Sequence, residues 1–137
     1  MMRALLPALL AVAVAACSVD SAPLLASDVA IVKPLPGTQI GAAYLALTNA
    51  TGQQITITKI ASPQFAAVAM HESILEHGVS RMVALQELDI AAQQTVVFER
   101  GGRHLMLMRP VGALDNVTLQ FFADEALLLT IDAASAD

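Results

Sequence analysis

The chain has 137 residues, 56% of them hydrophobic, with one cysteine, three histidines and six methionines and a formal net charge of −5. That length suits one domain with a proper core and leaves no room for a second. The acidic balance makes nucleic acid and anionic lipid poor partners, and a single cysteine excludes an intrachain disulfide framework.

Residues 1–16 read as a secretory signal, with Arg3 as the positive start and an apolar run behind it that is too short to span a bilayer. The run ends in Val14-Ala15-Ala16-Cys17, which resembles a bacterial lipobox, so Cys17 is expected to be diacylated and to become the mature N-terminus. The protein is then tethered to the membrane rather than spanning it, since each buried acyl methylene adds about 0.8 kcal/mol of membrane affinity. Residues 17–30 are expected to form this lipidated N-terminus and its leash, and residues 31–137 the folded domain.

Within the domain, Lys33-Pro34-Leu35-Pro36-Gly37 cannot be helical, because each proline biases its predecessor toward extended backbone; it is taken as the lead-in to the first core strand. Short runs that alternate or stay apolar, rich in β-branched residues, predict strands over 42–48, 54–61, 67–72, 80–85, 95–99, 104–109, 117–122 and 126–131. Gly, Asn and acidic residues punctuate them, at Gly52, Gly78, Gly101-Gly102 and Asp124-Glu125, and residues 132–137 read as a polar fray. No stretch carries a long helical period. The expected fold is all-β, an antiparallel sandwich or Greek-key barrel.

The chemistry is concentrated between Met70 and Met108, where His71, Met82, His104 and Met106 stand at the spacing H-x10-M-x21-H-x-M. Two imidazoles and two uncharged thioethers without a thiolate suit Cu(I), whereas Zn(II) takes thiolate, carboxylate or more imidazole. On a strand His104, Met106 and Met108 share one face and Leu105 and Leu107 the other; residues two apart are about 6.6 Å apart, so an imidazole and a thioether can lean onto one ion. A hairpin after strand 67–72 brings Met82 toward His71, and the Gly101-Gly102 turn lets His104 point inward, so that four ligands converge on one rim. Met70 is expected to face the core, Met108 to lie beside the site as a spare or supporting thioether, and His77 to be a solvated loop residue. Glu72 and Glu76 are read as solvated loop charges.

These four positions, with Gly41-Ala42-Ala43-Tyr44-Leu45, Leu88-Asp89-Ile90 and Gly101-Gly102-Arg103-His104-Leu105-Met106-Leu107-Met108 around them, resemble the periplasmic copper chaperone family PCu(A)C over roughly residues 34–131. The resemblance implies a cupredoxin-like fold in a single domain. It also implies a role in carrying Cu(I) through the periplasm for assembly of cytochrome c oxidase, above all its dinuclear copper centre, and for copper homeostasis. The acceptor would be the copper subunit of that oxidase or a thiol-bearing copper chaperone, and the carrier a monomer facing the periplasm from a lipid anchor. Arg103 stands where relatives often carry an uncharged residue, so it is expected to alter the rim of the site. The last residues lack the His- and Met-rich tail of some relatives, so one Cu(I) ion is expected.

Three rivals are weighed against this reading. A blue copper electron carrier needs a cysteine thiolate beside its histidines, and Cys17 lies outside the domain. A lipid-anchored scaffold that uses its sandwich for protein contacts predicts no tight metal. An enzyme has little to stand on, with no nucleophile elbow and no glycine-rich phosphate loop.

Overall fold

The computed structural model describes residues 22–136, so the expected signal segment and Cys17 lie outside the described residues. Eleven strands follow in chain order: β1 (Leu24–Val32), β2 (Ile40–Asn49), β3 (Ile55–Ile57), β4 (Lys59–Ala61), β5 (Phe65–Glu76), β6 (Val79–Leu85), β7 (Leu88–Ile90), β8 (Thr95–Phe98), β9 (Arg103–Pro110), β10 (Asn116–Ala123) and β11 (Ala126–Ala136). They pair in the order β4-β10-β11-β1-β2-β9-β5-β6, while β8 joins the second half of β2 and β3 pairs with β7. Leu105 and Leu107 of β9, Leu45 and Leu47 of β2 and Val117, Leu119 and Phe121 of β10 are all essentially buried in one cluster, so the long sheet folds over a single core. The architecture is the expected all-β, cupredoxin-like sandwich in one domain.

Four expectations need correction. Leu24–Val32, most of it assigned to the leash, is a strand: Leu24 and Ile31 are buried, and β1 pairs along β2 from Leu24 opposite Asn49 to Val32 opposite Ala42. The supposed fray belongs to β11, whose end runs parallel to β1 with Ile31 opposite Ser135. The run 54–61 breaks at Thr58 into β3 and β4, because the Thr58 amide donates to the Phe122 carbonyl and its hydroxyl accepts from the Asp124 amide, which turns the chain from one sheet to the other.

The Pro-rich segment connects β1 to β2 rather than preceding the first strand. Its turn has Pro36 and Gly37 at the two centre positions, Gly37 at φ 80°, with the Thr38 amide and hydroxyl both donating to the Leu35 carbonyl. That combination suits a type II turn, in which the third residue must take a positive φ. The connection lies close over β2 at Gly41: a Cβ there would stand 2.6 Å from the Val32 carbonyl oxygen.

Candidate metal centre

Strand alternation sorts the candidate residues cleanly. On β9 Leu105 and Leu107 point into the core, so His104, Met106 and Met108 point outward. On β5 the buried Met70 puts the adjacent His71 outward, as expected. Register then decides who meets whom: His71 stands directly opposite His104, Ala69 opposite Met106 and Ala67 opposite Met108, while across the other edge of β5 Ser73 faces Met82 and Ala84 faces His71. All four motif residues and Met108 therefore lie on one outer face, among alanines and a serine whose small side chains leave room above the sheet.

Met82 reaches over β5 across that space, and its Sδ lies 3.1 Å from His104 Nε2. The His71 and His104 rings stack alongside at 5.9 Å between centroids and 17° between planes. His104 Nδ1 is 3.1 Å from the Gly102 carbonyl, which can only accept, so the proton sits on Nδ1 and the Nε2 lone pair faces the Met82 sulfur. Two donor atoms with lone pairs toward each other have no hydrogen bond to make; a soft cation between them would satisfy both. His71 Nδ1 is also buried without a hydrogen-bond partner. Backbone carbonyls commonly hold metal-binding imidazoles in this way. Among the described residues no three His, Cys, Asp or Glu side chains cluster, so a centre here depends on its thioethers.

Met82, His104 and Met106 line a recess of about 550 Å³, walled by Val32, Leu35, Ile40 and Ala42. No acidic residue lines it. His71 opens instead on a second recess with Met108, Lys59 and Gln86. The structure thus brings three of the four motif side chains into one cavity and sets the fourth beside it by ring stacking.

Several neighbours differ from expectation. His71 sits in the middle of β5, which continues to Glu76, so the cluster lies on the outer face of the sheet near its β6 edge rather than on a rim. Arg103 projects to the opposite face from His104 and stands across from Glu72, its guanidinium 3.9 Å from that carboxylate, so it does not border the cluster. Glu76 pairs with Arg81 at 2.9 Å. His77 is an exposed turn residue, as read, and with Gly78 forms a two-residue hairpin loop with positive φ at both positions. Sequence reasoning missed the Gly102 carbonyl, which accepts from the Ser73 amide as well as facing His104 Nδ1 and so ties β5, the turn and the ring together. Its role is a backbone one, and a glycine before a strand carries no signal for it.

The family described as "Putative lipoprotein LpqE-like" matches residues 19–134. The chain belongs to the LpqE-like family. An uncharacterized protein of Rickettsia prowazekii, RP573, is 30% identical over 88 residues, which span 61% of this chain and about half, 49%, of that protein. Among solved structures, a copper-bound PCuAC domain from PmoF2 superposes with a TM-score of 0.65 at 17% identity, covering 82% of this chain and 92% of that domain, a likeness of fold. Cu(I)-bound DR1885 from Deinococcus radiodurans is 26% identical with a TM-score of 0.54, over 82% of this chain and 75% of that one.

Proposed function

We propose that this protein is a copper chaperone of the bacterial envelope that binds one Cu(I) ion through His71, Met82, His104 and Met106. The observation that carries the reading is the pair of His104 Nε2 and Met82 Sδ, 3.1 Å apart with the imidazole proton held at the Gly102 carbonyl. The copper-bound states of the structural relatives support it. Copper here is cargo, and the ligand set matches that role: with no anionic donor, the ion passes readily to thiolates of an acceptor. The lining of the recess helps, since an approaching thiolate meets no carboxylate there. The protein acts by binding and handover, not by catalysis.

The finer reading is that a lipid on Cys17 anchors the protein, as the family's description as a lipoprotein supports, and that the anchored domain faces the periplasm. From there it delivers copper, as a monomer, to the copper subunit of cytochrome c oxidase or to a thiol-bearing copper chaperone. A Cu(I) titration against a competing chromophoric chelator tests the site, with the full chain and its His104→Ala and Met106→Ala variants. One tight equivalent is expected for the parent, with affinity at least about tenfold lower in each variant. No binding, or binding indifferent to both changes, would leave an anchored sandwich that serves as a scaffold.

A further inference from the structure

We propose that Met82 is an oxidation switch: a peroxide converts its thioether to the sulfoxide and so turns off copper uptake. The inference rests on the copper reading above and adds a regulation of that same site.

The methionines of the domain differ sharply in access. Met82 is 56% exposed on β6, an edge strand, whereas Met70 is buried at 5% and Met106 and Met108 are half-buried. A small oxidant therefore reaches the Met82 sulfur first. The sulfur lone pair attacks one peroxide oxygen; an S–O bond forms as the O–O bond breaks, and the departing hydroxide takes the remaining proton to leave as water. Sulfur loses two electrons and the peroxide gains them.

Two consequences follow from what Met82 touches. The product offers a hard oxygen in place of a soft sulfur, and Cu(I) selects soft donors. The new oxygen is also a strong acceptor placed against His104 Nε2, at present 3.1 Å from the sulfur. Because the Gly102 carbonyl keeps the ring proton on Nδ1, this oxygen meets the Nε2 lone pair and stands where the ion would bind, so one added oxygen obstructs two ligands. A bound Cu(I) ion would draw electron density from the sulfur and block its approach, which slows oxidation of the loaded protein and favours the switch in the empty one. Because methionine sulfoxide is enzymatically reducible, the loss is reversible.

The test treats the full chain, with and without Cu(I), with hydrogen peroxide, maps the added oxygen by peptide mass and then titrates Cu(I). Expected are oxidation of Met82 ahead of Met70, Met106 and Met108, slower oxidation of the loaded protein, and a Cu(I) affinity at least about tenfold lower that methionine sulfoxide reductase restores. Met82→Leu keeps the volume and removes the target, so its residual affinity should not respond to peroxide. Prior oxidation of another methionine, or a Met82→Leu protein that still loses copper on treatment, overturns the proposal. An untreated chain that takes no Cu(I) sinks the copper reading and the switch together. One that takes Cu(I) and keeps its affinity with Met82 oxidised sinks the switch alone.

Discussion

Asn49, fully buried at the end of β2, is heavily hydrogen-bonded through its side chain. Its Nδ2 donates to the carbonyls of Gln53, Ile90 and Ala91 at 2.7, 2.9 and 3.2 Å, and its Oδ1 accepts from the amide and hydroxyl of Thr51. One residue thereby closes the loop after β2 and fastens it to the end of β7. Asn49→Ala strands several of these groups, and at about 1–3 kcal/mol for a buried unsatisfied group it should destabilise the fold by about 3 kcal/mol in denaturant unfolding. Asn49→Asp should cost more than the alanine change, because an acceptor would then face three carbonyls. A smaller loss for aspartate would mean that water replaces the lost donor.

At the scale of elements, the seam between β1 and the end of β11 joins the two ends of the domain. On the β1 side the Lys33 amide donates to the Ala136 carbonyl at 3.2 Å; on the other side Ser135 donates its amide to the Asp115 carbonyl at 3.0 Å and its hydroxyl to the Leu114 carbonyl, which fastens the same end of β11 to the loop before β10. A chain ending at Ile131 loses all of these together with the pairing of residues 132–134 on β10 and the Thr118–Asp132 bond, and at about 1 kcal/mol per bond its unfolding free energy should fall by more than about 3 kcal/mol. Since Lys33 begins the segment that walls the larger recess, its amide should also exchange hydrogen faster; unchanged exchange would mean that β2 alone holds that segment. This seam was illegible in the sequence, because Asp132-Ala133-Ala134-Ser135-Ala136 has no β-branched or aromatic residue and is a strand only through its partners, β10 along Asp132, Ala133 and Ala134 and β1, at the far end of the chain, along Ser135 and Ala136. The break at Thr58 was hidden for a similar reason: the local pattern is that of one strand, and what divides it is bonding to β10 and its turn. His104 and Met106 were legible because a period of two is local. How they meet Met82 was not, since that depends on β5 lying between β9 and β6 and on Ser73 and Ala69 being small enough to reach across.

For the molecule as a whole, the fold sets neutral donors in an acidic protein. The carboxylates that Zn(II) would seek are spent elsewhere, Glu72 against Arg103 and Glu76 against Arg81, and neither shares a face with His71. Binding to the folded state alone raises stability by about 2.7 kcal/mol at a free-ion concentration on the order of a hundred times the dissociation constant. Ag(I), a redox-stable ion with the softness of Cu(I), should therefore raise the melting temperature clearly, and Zn(II) hardly at all. Protons compete with the ion for imidazole, so the Ag(I) shift should be smaller in acidic than in neutral buffer, and it should be lost with His104→Ala. The sign is set by which form of the ring binds: the neutral ring offers a lone pair and the protonated ring offers none. A Zn(II) shift as large as that of Ag(I) would remove the thioethers from the centre, and a shift independent of pH would remove the histidines.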